Sequence, residues 1–353
     1  MKAVEEKKTS TERDKKETIL SVRNLVTKFY TEEGVVEALE GINFEVKKGE
    51  IYSLVGETGC GKSVTVKSIL GLLERTGKVE SGEAIFYRSS TLDRPVDLLS
   101  IKESRIRKIR GKDITYIPQD PSSSLNPVYT IKNQLLEIIR PHSDISKKEA
   151  LEKAKELLEE VDLAPPENYL SKYPFQLSGG QKQRIIIAMA LATEPSLIIA
   201  DEPSTALDVT VEAKVLDLME ELIASHDTSL ILITHNLGVV AQISDRIGIM
   251  YAGRVIEVAS TENIFYKPYH PYTFGLLKSV PSIKKREKEL DFVKGLVPDL
   301  YDPPSGCRFH PRCEYQTDVC KEKKPPYEEV EPGHNVACYY SKEVKKDRRE
   351  EDL

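Results

Sequence analysis

The sequence predicts an α/β fold, a doubly wound parallel sheet with an antiparallel β subdomain, and three observations carry that prediction. A short apolar run, residues 51–55, leads into Gly56-Glu57-Thr58-Gly59-Cys60-Gly61-Lys62-Ser63. That is a strand, a glycine-rich loop and a helix start, in the order that cradles phosphate. Two further apolar runs, 197–200 and 230–234, bracket a helical pattern at 211–225. Strands alternating with helices pack as a parallel sheet with helices on its faces. Residues 19–30 and 35–46 instead alternate apolar and polar side chains across Glu33-Gly34. This adds an antiparallel β subdomain.

The remaining elements follow in chain order. Residues 1–18 are charged, lack the apolar core of a signal peptide, and are expected to be a disordered tail. A helix is expected at 64–73 after the glycine-rich loop. Ser146-x-x-Glu149 is a capping box. Beyond it Ala150, Leu151, Ala154, Leu157, Leu158 and Val161 recur at helical spacing. Residues 131–173 are therefore expected to be helical, within a helical insert spanning about 120–178. After residue 261 proline becomes frequent and cysteines gather. A small irregular cysteine-rich module is expected over 262–341, then a charged tail over 342–353. The main domain is thus expected over 19–261.

Composition excludes several classes. With 353 residues and a net charge of −6, no basic face for nucleic acid stands out. No apolar run approaches the ~18–20 residues of a membrane span. The chain is expected in the cytoplasm, peripheral to the membrane, with membrane contact made through partners. The 31% charged residues and the lack of tryptophan lean toward a thermophilic composition.

The motifs specify the chemistry. In Gly56–Ser63 the glycines let backbone N–H groups turn toward phosphates, and the helix beginning near Lys62 adds its positive end. Lys62 offers a point charge to the β and γ phosphates, and Ser63 a hydroxyl to Mg²⁺. Glu57, Thr58, Gly59, Cys60, Gly61 and Val64 complete the nucleotide-binding segment. Asp201 and Glu202 end a buried apolar strand, a costly place for two carboxylates unless they serve a cation or a water. Asp201 suits the Mg²⁺ shell, and Glu202 the general base. Ser178-Gly179-Gly180-Gln181 opens another helix and makes a second anion site. One chain already has a complete phosphate loop, so the second site suits the nucleotide of a different subunit. Gln119 follows the strand-like 114–117 and can reach Mg²⁺ or the attacking water. His235 follows 230–234 and can bond the γ-phosphate, although a histidine at a strand end is more often structural.

Taken together, these motifs resemble the nucleotide-binding subunit of an ABC transporter, a P-loop NTPase. Walker A lies at 56–63, the Q-loop at Gln119, and the LSGGQ signature at 177–181. Walker B lies at 197–201, followed by Glu202, a D-loop through Asp208, and a switch at His235. The resemblance implies an ATPase that dimerises around ATP, with Asp208 at the seam and Tyr30 stacking on adenine. A closer likeness is to dipeptide, oligopeptide and nickel importers. It rests on Ile117-Pro118-Gln119-Asp120-Pro121, His270-Pro271-Tyr272-Thr273 and Gly306-Cys307-Arg308-Phe309-His310-Pro311-Arg312-Cys313. It implies a second ATPase subunit (a heterodimer, with a homodimer conceivable in vitro), two permeases and an extracytoplasmic binding protein. Peptides are the implied cargo, with oligosaccharides or nickel as alternatives. A soluble, non-transporting ABC ATPase is the rival of another class.

Of five cysteines, Cys60 reads as a filler of the phosphate loop, and Cys307, Cys313, Cys320 and Cys338 read as a metal or iron–sulfur site. Their C-x5-C-x6-C-x17-C spacing resembles family members with a C-terminal [4Fe–4S] cluster. Zinc is the alternative for four thiolates. The module carrying them is expected to be independent of the phosphate loop, with ATP binding surviving loss of the cluster.

Overall fold

The structure is a computed structural model. It describes residues 17–90, 92, 94–143, 145–203, 208–279, 293 and 295–344. Most of the two charged tails lies outside the described residues.

The expected antiparallel pair forms as β1 (Thr18–Thr31) and β2 (Gly34–Lys47), in register from Thr18 opposite Lys47 to Thr31 opposite Gly34. β3 (Ile51–Val55) leaves this layer. β4 (Gly77–Phe86) and β5 (Val96–Asp97) return to it, giving a four-stranded sheet in the order β2-β1-β4-β5. The second sheet collects β6 (Ile114–Ile117), β7 (Leu197–Asp201), β8 (Ser229–Thr234), β9 (Arg246–Tyr251), β10 (Arg254–Ser260), β11 (Glu328–Glu331) and β12 (His334–Val336). With β3 it runs in the order β11-β12-β10-β9-β3-β8-β7-β6.

The expectation of a parallel sheet holds for β9, β3, β8, β7 and β6. β10, β12 and β11 join antiparallel, so the sheet is mixed. The difference has a visible cause. β3, β7 and β8 are buried at every position, as apolar runs covered on both faces must be. β9 and β10 are joined by a tight Ala252-Gly253 turn, which permits only an antiparallel return.

The insert is helical as expected, through Ile131–Ile139, Lys147–Glu160 and Glu167–Leu170. The capping box is formed: Glu149 N–H donates to Ser146 Oγ at 3.3 Å, and Ser146 N–H to the Glu149 carboxylate at 2.7 Å. Ala150, Ala154, Leu157 and Leu158 face inward and join Ile131, Leu135, Ile139 and Ile185 in one core.

The C-terminal segment is less irregular than its composition suggests. His270 caps the helix Pro271–Lys278, its Nδ1 accepting the Tyr272 N–H at 3.1 Å. Tyr272 and Phe309 pack with Tyr251 of β9, ring centroids 4.7 to 5.5 Å apart. They share a core with Val55, Ile249 and Ile256 of the main sheet. The segment therefore completes a core begun by β3, β9 and β10.

Candidate functional site

β3 delivers the chain to the phosphate loop. A Cβ on Gly56 would stand 2.2 Å from the Met250 carbonyl oxygen. Gly61, at φ +106°, would meet the Met250 Cε at 2.7 Å and the Leu39 Cδ2 at 2.9 Å. Only glycine fits either position. Gly61 caps the helix Lys62–Ile69, which begins at Lys62 as the phosphate-loop pattern predicts and ends short of the expected residue 73. The buried Lys62 donates from Nζ to the carbonyls of Gly56 at 2.8 Å and Glu57 at 3.2 Å. Thr58 and Gly59 form the exposed crest. Cys60 is fully buried, and burial pushes its thiol up to about 11. Val64 packs against the core beneath.

Both carboxylates of the strand end are positioned by residues remote in sequence. Ser63 Oγ donates to one oxygen of Asp201 at 2.9 Å, and Tyr116 Oη to the other at 3.0 Å. Burial and the Asp201 charge hold the Tyr116 phenol well above its usual range. Glu202 adopts φ 47°, a left-handed conformation uncommon for a residue with a side chain. Its N–H donates to Ile233 O of β8 at 2.8 Å. Its carboxylate receives Gln119 Nε2 at 3.1 Å and lies 3.2 Å from His235 Nδ1 and 4.0 Å from Lys62 Nζ. Four separate segments thus meet at one carboxylate. Gln119, placed by sequence reasoning at Mg²⁺ or the attacking water, reaches Glu202.

The signature residues bond within their own helix, Gly179–Leu191. Gln181 N–H donates to Ser178 Oγ at 3.3 Å and Ser178 N–H to Gln181 Oε1 at 3.1 Å, a capping box. A Cβ on Gly180 would stand 2.7 Å from Val211 Cγ1. Val211 N–H in turn donates to Asp208 Oδ1 at 3.0 Å, capping the helix Val209–Ser225. The signature helix and the helix behind Asp208 therefore touch. Residues 204–207, part of the expected D-loop, lie outside the described residues. Tyr30, at the end of β1, is half exposed, and its Oη donates to Glu80 at 2.9 Å.

Cys307, Cys313, Cys320 and Cys338 line one pocket together with His310 and Tyr339. Among the described residues no group of three or more His, Cys, Asp or Glu has the arrangement of a metal site. Burial raises three of these thiols, Cys313 to about 11 and Cys338 to about 12, with Cys307 moved the same way. The four thiols thus share a pocket, as the expected grouping has them, but among the described residues they are not arranged as a formed metal site.

The expected separation of this module from the phosphate loop is not observed. Arg312 donates to both carboxylate oxygens of Glu57, at 2.8 and 3.2 Å. Glu57 N–H donates to Tyr272 Oη at 3.1 Å. Sequence reasoning missed Tyr116, Tyr272 and Arg312 as site residues. Tyr116 is the one incompletely buried residue of β6, a property the folded chain reveals and the sequence does not. Arg312 and Glu57 lie 255 residues apart and carry no shared pattern.

Comparison with known proteins agrees with this geometry. Residues 39–205 match the ABC transporter family, and residues 256–320 match the oligopeptide/dipeptide transporter C-terminal region. The dipeptide transport ATP-binding protein DppD of Bacillus subtilis (strain 168) is 45% identical, over 92% of this chain and 95% of its own. The oligopeptide transport ATP-binding protein AppD of the same organism is 44% identical, over 92% and 98%. Among solved structures, the dimeric post-hydrolysis state of the ATP-binding cassette MJ0796, bound to ADP and Pi, is similar with a TM-score of 0.60. It is 27% identical, covering 69% of this chain and 99% of its own. From these likenesses, the chain belongs to the ABC transporter ATP-binding proteins of the dipeptide and oligopeptide type, ATPases coupled to transport.

Proposed function

We propose that ATP binds along Gly56–Ser63 and is hydrolysed with Glu202 as general base, while a second ATPase subunit closes over the γ-phosphate. The observation that carries this reading is the meeting of Lys62, Gln119 and His235 at the Glu202 carboxylate. Glu202 takes the proton of the attacking water, and Gln119 and His235 orient the carboxylate. Lys62 supplies cationic charge to the β and γ phosphates. The paired oxygens of Ser63 and Asp201 are hard donors suited to Mg²⁺. Mg²⁺, when bound, neutralises phosphate charge. Tyr30 offers an exposed ring to adenine. Ser178, Gly179, Gly180 and Gln181 offer a helix N-terminus to the partner's nucleotide, with Asp208 at the seam.

Transport follows from the partners. No helix among the described residues is long and apolar enough to cross a membrane. The helical insert exposes Val128, Tyr129 and the stacked Tyr173–Phe175 pair, an apolar surface for permease subunits. The relatives' names point to di- and oligopeptides as cargo. The subunit then works at the cytoplasmic face, with two permeases, a partner ATPase and an extracytoplasmic binding protein. Glu202→Gln should bind Mg-ATP and accumulate as a dimer, seen by light scattering. A variant that stays monomeric, alone and with its partner ATPase, would sink the sandwich reading.

The four clustered thiols hold a [4Fe–4S] cluster in this reading, tying loop segments of the C-terminal module together. Protein purified without oxygen should be brown, with about four irons per chain. A colourless preparation carrying one zinc would defeat the assignment.

A further inference from the structure

Glu57 is held by the C-terminal segment from two directions. Its carboxylate takes two hydrogen bonds from Arg312, and its N–H is taken by Tyr272 Oη. Both partners are built in. The Arg312 side chain is 5% exposed and also donates to Val293 O at 2.8 Å. Its guanidinium lies 5.6 Å from the centre of the Tyr251 ring. Tyr272 is fully buried against Tyr251 and Phe309. The carbonyls of Gly56 and Glu57 meanwhile hold Lys62 Nζ. The first turn of the phosphate loop is thus fixed between its own lysine and two residues of the C-terminal segment.

The charge pattern matters as much as the geometry. Glu57 puts a carboxylate beside a loop meant for a highly charged phosphate chain. Like charges placed together disfavour binding unless a cation compensates. Arg312 is that cation, fixed in a bidentate geometry that lysine cannot reproduce. We infer that Arg312 and Tyr272 are positioning residues for the nucleotide, through which the C-terminal segment sets the affinity of the phosphate loop for ATP. This rests on the reading of Gly56–Ser63 as the ATP site.

The test is binding of a fluorescent N-methylanthraniloyl ATP with Mg²⁺ to the full-length chain. Arg312→Gln should weaken binding about tenfold, one decade in the equilibrium. Adding Glu57→Gln to it should restore affinity to within about threefold of wild type, because the uncompensated carboxylate is gone. Arg312→Lys should fall between the two. In steady-state hydrolysis the KM of Arg312→Gln should rise while kcat stays within about twofold. Wild-type affinity in Arg312→Gln, or a double variant as impaired as the single one, would overturn the inference. Tyr272→Phe removes only the hydroxyl that accepts the Glu57 N–H, and it supplies a second arm should Arg312→Gln fail to fold. It should bind about threefold to tenfold more weakly, and unchanged affinity there would overturn the inference too. Lys62→Ala tests the underlying site separately: if it binds as wild type does, the nucleotide assignment fails whatever Arg312 does.

Discussion

His334 Nε2 lies 2.7 Å from a carboxylate oxygen of Glu257, and neither side chain is exposed. Glu257 belongs to β10 and His334 opens β12, so the contact fastens the C-terminal segment to the main sheet. The same carboxylate accepts the N–H groups of Tyr269 at 2.6 Å and His270 at 3.1 Å. A buried carboxylate with three donors is stable only while all three are present. Removing the acceptor leaves those donors without it. Glu257→Ala should therefore lower unfolding stability by about 3–5 kcal/mol. Urea unfolding measures this, and a change below about 1 kcal/mol would refute the clamp.

A pH dependence follows from His270. Burial, opposed in part by the Glu257 carboxylate, pushes this imidazole down to about 4. Its unfolded value is about 6.5. The folded chain needs the neutral ring, because Nδ1 accepts the Tyr272 N–H. A depressed base contributes stability that is complete above its unfolded pKa and lost as pH falls toward its folded one. The urea midpoint should thus drop between pH 6.5 and 4. His270→Asn, which keeps a capping acceptor without a titratable ring, should show a shallower acid limb. Equal slopes in the two proteins would rule out His270 as the titrating group.

The Glu202 site separates binding from chemistry. Glu202→Gln should cut ATP turnover by about 10²–10⁴-fold while leaving affinity near wild type. His235→Ala, which strips the carboxylate of the ring 3.2 Å away, should also reduce kcat more than it changes KM. Single-turnover hydrolysis with isothermal titration distinguishes these effects. A parallel loss of binding would mean that both residues act on the ground state.

Cysteine reactivity offers a fourth check. Cys60 is fully buried, and its thiol, held up to about 11, is protonated at neutral pH. Thiolate, not thiol, is the nucleophile. Under native conditions at pH 8, iodoacetamide should leave Cys60 unmodified, with mass-spectrometric mapping as the readout. Rapid labelling of Cys60 would mean that the phosphate loop opens far more than its packing allows.

Much of this architecture was legible because the signals are local. A capping box at Ser146 and Glu149 spans one helical turn, and the runs that became β3, β7 and β8 are apolar because both their faces are covered. The phosphate loop, the strand-end carboxylates and the signature each announce themselves in a few residues. What stayed hidden is long-range. Nothing near Tyr116 says that its hydroxyl will meet Asp201 85 residues later. β11 and β12 are short, with charged or polar residues at most positions, because they pair at a sheet margin. Such segments lack the alternation that marks a half-buried strand. Proline and cysteine content suggested irregularity, and burial of Tyr272 and Phe309 against the main sheet overrode it.

The position of β12 also bears on how shortened forms of this protein would behave. β12 covers the outer side of β10, with Glu257 opposite Val336 and Ala337 N–H donating to Ile256 O at 2.8 Å. A chain cut after β10 would bare a row of hydrogen-bonding groups along a strand that is buried along most of its length. Unprotected margins of this kind template pairing with other molecules. The cut chain should therefore precipitate or form oligomers through that strand, whatever its nucleotide site can still do. An inactive C-terminal deletion would then report lost solubility. Point changes that keep β12 in place are the cleaner way to ask what the C-terminal segment contributes.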